Sequence, residues 1–182
     1  MKTTSALLAM FATTAVLLAG CTTEPTTDTG RESLDSAVQR TMAKLSDQDP
    51  SLPGYLGNAY AYVVFPTVGK GAFVVGGGYG HGEVFQGGKM IGYADISQAT
   101  VGAQVGAEAF AEIIAFRNSD AFSQFKDGKL ALETTASAVI LKSGAATTTV
   151  ENKDGFVIFV DVKGGAMAEA EVGGQSFSYQ PL

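Results

Sequence analysis

The sequence predicts an α+β domain: a strongly curved, mainly antiparallel β-sheet, barrel-like or sandwich in its core, with an N-terminal helix and a short internal helix. Three observations predict it. Twelve of the chain's 23 glycines fall between Gly69 and Gly106, interleaved with β-branched and aromatic residues. Glycine weakens a strand, so this density implies close backbone approach, bulges or sharp coiling. Many short β-prone runs are separated by glycine pairs, and only Leu34 to Leu45 shows a sustained helical period.

Composition narrows the function. With 46% apolar and only 16% charged residues, the chain is a folded protein. Its net charge of −6 comes without a basic stripe, which removes the main electrostatic term of nucleic-acid binding. The only cysteine is Cys21, so neither an intrachain disulfide nor a cysteine-based zinc site can form.

Lys2 forms a short positive n-region, Ala6 to Ala19 is an apolar run too short for a membrane span, and Leu18-Ala19-Gly20-Cys21 follows. That ending resembles the lipobox of bacterial lipoproteins. It implies a signal peptide over residues 1–20, diacylglycerol and palmitate on Cys21, and membrane lipid as the partner through that anchor. Position 22 is Thr rather than the Asp associated with inner-membrane retention, which implies an outer-membrane location facing the periplasm. Several acyl chains suffice for stable anchoring.

Residues 21–30, rich in Thr, read as a flexible tether, and 31–182 as a single domain. Thr29 with Glu32 fits a capping box, and Leu34, Val38, Met42 and Leu45 recur at helical spacing, predicting a helix from about Arg31 to Leu45. Its other face is mixed in sign, which favours packing on the domain over lying on a membrane. Asp49-Pro50, Pro53 and Gly54 end it. Tyr60 to Phe65 reads as a strand stopped by Pro66, and Ala72 to Phe85 as a second. Alternation leaves Gly76, Gly78, Gly80 and Gly82 on one nearly bare side, against which backbone or a ring can lie.

Gly87-Gly88 predicts a hairpin turn into Lys89 to Ile96. Val101 to Phe116 fits a long strand, with Ala107 to Phe116 also compatible with a helix. Asn118 or Ser119 caps a short helix that turns Phe122 and Phe125 inward and stops at Asp127-Gly128. Leu130 to Leu141, Ala145 to Val150 and Phe156 to Val160 read as strands. Asn152 to Gly155, Gly164-Gly165 and Gly173-Gly174 read as connections, the last two leading into Ala166 to Val172 and Gln175 to Tyr179.

No nucleotide loop survives inspection. GxxxxGK[ST] is absent, and the dinucleotide pattern started at Gly76 or Gly78 meets His81 or Glu83 where glycine is required. His81, the only histidine, shares a strand face with Glu83, but no metal-ligand spacing, GxSxG elbow or second orienting group accompanies it. A hydrogen-bonding histidine outweighs a hydrolytic one, so catalytic, cofactor and metal sites are expected to be absent. Lys70 is a candidate donor to lipid phosphate, with a strand-edge guard as its plainer role. Phe73 and Tyr79 line one strand face as groove or core.

Tyr62-Val63-Val64-Phe65-Pro66 continuing through Gly69-Lys70-Gly71-Ala72-Phe73-Val74-Val75-Gly76-Gly77-Gly78-Tyr79-Gly80-His81-Gly82 resembles the opening signature of the SYLF lipid-binding domain. Val101-Gly102-Ala103-Gln104-Val105-Gly106 resembles its GxQxG segment, and Asp161-Val162-Lys163-Gly164-Gly165-Ala166 its late segment. The likeness runs from about Leu34 to Tyr179. It implies a non-enzymatic membrane-associated module that binds phospholipid or contacts the cell envelope, with Lys70, Phe73 and Tyr79 as lipid-binding candidates. Gly71, Gly76, Gly77, Gly78, Gly80, Gly82, Gly102 and Gly106 are its structural glycines. Eukaryotic members bind phosphoinositides or actin, often through a basic N-terminal helix. The mixed helix here departs from that pattern. A structural or surface lipoprotein recognising a protein or glycan, its partner unknown, is the alternative.

Overall fold

The computed structural model describes residues 25, 27–130, 132–133, 147–151 and 155–182. Cys21, the expected signal peptide over residues 1–20 and most of the expected strand over 130–141 lie outside them. The elements in order are α1 (Asp28–Gln48), α2 (Leu52–Asn58), β1 (Ala61–Gln86), β2 (Lys89–Phe116), α3 (Ser119–Lys126), β3 (Leu132–Glu133), β4 (Thr147–Glu151) and β5 (Phe156–Pro181). All ladders are antiparallel. They run β1-β2-β5-β3, with β4 also on β5, in a five-stranded sheet that is not closed. The α+β class holds, and the sheet is not closed: among the described residues β1 makes a ladder with β2 alone.

Three expectations about segmentation are corrected. Pro66 does not stop a strand: β1 runs through it, since a register shift between Phe65 and Val68 absorbs a residue that cannot donate to the ladder. Gly164-Gly165 and Gly173-Gly174 do not reverse the chain. They sit inside β5, whose register with β2 runs from Phe116↔Phe156 to Gly92↔Pro181 with one shift. Glycine there costs conformational entropy that the continuous ladder offsets. Likewise β2 is a single strand from Lys89, and Ala107 to Phe116 belongs to it rather than to a helix.

The helices follow their local signals. In α1 the cap is Thr27, whose hydroxyl accepts from Gly30 N at 3.1 Å, so the helix starts before Arg31 and takes three residues of the expected tether. Leu34, Val38 and Leu45 are buried as the period requires. Pro53 does not prevent a helix. At the first turn of α2 its missing N–H is harmless, and a second helix forms that the sequence reading omits. Asn118 caps α3, accepting from Ala121 N at 2.9 Å, and Phe122 and Phe125 are buried.

Two apolar clusters flank the sheet. One gathers Val64, Phe85, Tyr93, Ile113 and Phe159 under α1 and α2. The other gathers Phe65, Val68, Val84, Ile96, Phe110, Phe116 and Phe177 with α3. The second contains both ends of β1, which a straight strand of 26 residues would hold roughly 85 Å apart. Glycine makes their contact possible. A Cβ on Gly82 would stand 2.6 Å from Phe65 Cδ1 and 2.6 Å from Val64 O, and one on Gly80 would stand 2.6 Å from Thr67 O. The bare side predicted for this strand is therefore filled by the strand's own beginning. Gly87 and Gly88, at φ 57° and 75°, form the predicted hairpin turn.

Candidate functional site

Most long strands bury at least one face, and the middle of the β1–β2 hairpin departs from this. Phe73 is 77% exposed and Val75 65% exposed; Val101 and Val105 are also exposed. The register sets Phe73 opposite Val105 and Val75 opposite Val101, so these four side chains share one face as two neighbouring cross-strand pairs. Isolated exposed apolar residues are ordinary, whereas a contiguous set marks a contact surface. Tyr79, opposite Ser97, continues the same face and is partly exposed.

Between Phe73 and Val75 the register slips, and Val74 adopts φ 65°. A β-branched residue in this region is strained by roughly 1–3 kcal/mol. Its side chain is nevertheless exposed, in a stretch where glycine, which would relieve the strain, stands on either side at Gly71 and Gly76.

Lys70 lies elsewhere than the sequence reading places it. It is only 4% exposed and faces Glu108 across the ladder, so its ammonium is not presented at the surface as a phosphate donor or edge guard would be. β2 and β5 also carry a buried polar cluster. Glu112, 2% exposed, accepts from Gln175 Nε2 at 3.1 Å, while its second oxygen Oε1 and Gln98 Oε1 have no partner among the described residues. Burial raises the Glu112 carboxyl to about 7, the bond from Gln175 opposing the shift. Of the remaining glycines, Gly78 abuts Gln98, Gly106 has φ 131°, and Gly71 has open space at its Cβ; Gly76, Gly77 and Gly102 lie in the same mid-strand segments.

His81 is paired. Its Nδ1 lies 2.6 Å from Asp95 Oδ1, and its ring meets the Tyr79 ring edge-on at 5.0 Å. Asp95 is the orienting group that the sequence reading lacks, since only the register brings positions 81 and 95 together. Glu83, two residues on, is buried, and burial followed by the Asp35 carboxylate raises its pKa to about 7. A histidine held by an aspartate satisfies part of a hydrolytic arrangement. The register sets Asp95 between His81 and Ser178, so that serine lies across the aspartate from the imidazole.

No family model matches the chain, and no curated protein matches it. Among the described residues no helix is long and apolar enough to cross a membrane, and no three His, Cys, Asp or Glu side chains group as metal ligands.

A second surface was not legible in sequence. Arg40 and Lys44, one turn apart on α1, meet Lys163 of β5 in a cleft of about 200 Å³ completed by Ala37, Thr41 and Thr67. Lys44 donates to both carboxylate oxygens of buried Asp161, at 3.0 and 2.7 Å, and Lys163 donates to Thr67 Oγ1 at 3.2 Å. Lys44 engages Asp161 directly, while Lys163 feels the charges of Asp161, Lys44 and Arg40. Burial lowers the Lys163 pKa, Asp161 opposes this, and Lys44 and Arg40 lower it further.

Proposed function

We propose that this chain is a lipid-anchored envelope lipoprotein, held through acylated Cys21, whose SYLF-like domain contacts phospholipid without catalysing a reaction. The sheet is read as strongly curved, with the middles of β1 and β2 forming a projecting crest. The exposed apolar face of Phe73, Val75, Val101 and Val105, with strained Val74 beside it, carries the reading. A residue kept in an unfavourable conformation while exposing an apolar side chain is accounted for by a surface that side chain enters. Open strand edges are excluded from the hydrocarbon core, so the contact is interfacial. The cleft of Arg40, Lys44 and Lys163 supplies positive charge for anionic head groups in an otherwise acidic chain.

Vesicle flotation tests this with the non-acylated Cys21→Ala protein and phosphatidylethanolamine–phosphatidylglycerol vesicles. Wild-type sequence at 73–75 should float. Val74→Gly should gain about 1 kcal/mol of stability by relief of strain and yet bind vesicles more weakly, and Phe73→Ser should bind more weakly still. Absence of flotation by the parent protein would remove the lipid part of the reading. A protein partner adding a strand to β1 is the second reading, favoured by the single ladder that β1 makes among the described residues. Crosslinking in cells that captures one dominant protein at position 73 would select it.

A further inference from the structure

Close approaches within β1 step inward from both of its ends. A Cβ on Gly82 would meet Phe65 and Val64 O, one on Gly80 would meet Thr67 O and Val68, and one on Gly78 would meet Gly69 O. The strand therefore doubles back about Phe73 and Val74, where the register slips and Val74 has φ 65°. β2 doubles back with it, because Gln98 lies level with Gln175 and Gln175 donates to Glu112, fourteen positions further along β2. The middle of the sheet is thus a two-layered arm with the Phe73 crest at its tip.

This arm is inverted with respect to a sheet that faces water. Of the nine buried polar or charged residues among those described, five lie on its inner side: Lys70, Gln98, Thr100, Glu112 and Gln175. Of the nine exposed large hydrophobic residues, six lie on its tip or outside: Phe73, Val74, Val75, Tyr79, Val101 and Val105. Sheets turn apolar faces outward where hydrocarbon or another protein covers them, and hydrocarbon does not tolerate an open strand edge. Among the described residues β1 makes a ladder with β2 alone. From Thr67 to Gly80 it carries no proline and only one formal charge, on Lys70, which is buried, so the usual guards of an edge strand are missing.

The shape of that edge selects its partner. The edge is U-shaped, so a strand that pairs with both layers must turn where β1 turns. A second β1 related by a two-fold axis along the arm does so. Rotation exchanges the layers and sets the half of one copy that runs toward the tip against the half of the other that runs away from it, which is an antiparallel, isologous pairing. With the axis through Val74, Gly71 of one copy stands level with Gly77 of the other, each three positions from the bend. Both glycines are exposed and have room for a side chain: a Cβ at Gly71 meets nothing within 4 Å, and one at Gly77 meets only Gln98 O at 3.8 Å.

We propose that two copies of this chain join edge to edge through β1, about a two-fold axis along the arm, into one continuous two-layered arm. The need to close the edge rests on the crest meeting lipid; the fit of the second copy does not.

Cysteine pairs in the Cys21→Ala chain test it. Gly71→Cys and Gly77→Cys proteins, mixed and mildly oxidised with and without phosphatidylethanolamine–phosphatidylglycerol vesicles, should give a disulfide-linked dimer, since residues level in paired strands stand within disulfide reach. Either protein alone should not, because the two-fold axis puts equivalent positions in different layers. A charge exchange gives the second measurement. The Gly71→Asp/Gly77→Asp protein sets like charges opposite each other twice, and by sedimentation should pair roughly tenfold more weakly than Gly71→Lys/Gly77→Asp, which sets opposite charges there. A linked dimer from the mixture without flotation of the parent keeps the pairing and removes the lipid reading. Absence of a linked dimer in both conditions overturns the pairing whether or not the parent floats. So does equal linkage by Gly71→Cys alone, or equal pairing of the two charge variants.

Discussion

Replacing Gly82 by alanine tests the central packing claim, that β1 lies against its own beginning. The added methyl would stand 2.6 Å from both Val64 O and Phe65 Cδ1. One of these is backbone in a ladder and the other belongs to a fully buried ring, so neither withdraws freely. Overpacking of this kind costs roughly 1–3 kcal/mol, and removing a strand glycine returns about 0.5–1 kcal/mol. With neither contact able to withdraw the cost lies at the upper end, about 2–3 kcal/mol, so the expected net loss is about 1–2.5 kcal/mol, a fall of roughly 2–10 °C in melting temperature for a domain of this size. Gly71→Ala is the internal reference. It meets nothing within 4 Å and should be neutral or stabilising by up to about 1 kcal/mol. Urea unfolding of both variants would report the midpoints at a common slope. If Gly82→Ala were as stable as the parent, or Gly71→Ala lost as much, the two ends of β1 would not be in contact.

Further outcomes concern the buried polar groups and caps. Because burial raises the Glu112 carboxyl to about 7 in the fold, the folded state holds a proton that the unfolded chain releases near 4.5. This contribution to stability is complete below the unfolded value and is lost as pH rises through about 7, so Glu112→Gln should match the parent only below pH 4.5 and exceed it by about 3 kcal/mol at pH 8 or above, read as melting temperature against pH. His81→Ala removes the partner of an almost fully buried Asp95 carboxylate and should destabilise by about 1–3 kcal/mol, more than an exposed pair would. Lys44→Ala should cost about 3–5 kcal/mol if Asp161, 1% exposed, stays charged; a smaller loss by denaturation would mean that Lys163 replaces Lys44. Asn118→Ala should cost about 1 kcal/mol through loss of the α3 cap, measured the same way.

Local chemistry was legible, and long-range pairing was not. The cap at Asn118, the stop at Asp127-Gly128, the inward Phe122 and Phe125, and the Gly87-Gly88 hairpin each depend on residues within one or two turns of chain, and the structure keeps them. Strand lengths are not legible, because Gly164-Gly165 and Gly173-Gly174 carry the same composition whether they reverse a chain or continue one. The full-length partner β2 decides between these, and a sequence does not display it. Lys70 reads as a surface lysine because alternation gives two faces without saying which is interior. Phe73 and Tyr79 were singled out, whereas Val75, Val101 and Val105 read as ordinary strand residues. The signal that could have found them is the lack of any bulky neighbour at Gly71, Gly76 and Gly102 to cover them. Arg40 and Lys163 lie 123 positions apart, and no spacing rule joins them.

The central place of β2 has a kinetic consequence. Its ladder with β1 closes through a two-residue turn and can zip outward from Gly87-Gly88, whereas its ladder with β5 must span every residue between Phe116 and Phe156. Loop closure of that length is slower than hairpin formation. During synthesis or translocation, the edge of β2 destined for β5, from Gly92 to Phe116, therefore remains a row of unpaired backbone groups until β5 emerges. Truncation ahead of Phe156 would leave that edge permanently open, making aggregation rather than local fraying the dominant fate of the shortened chain.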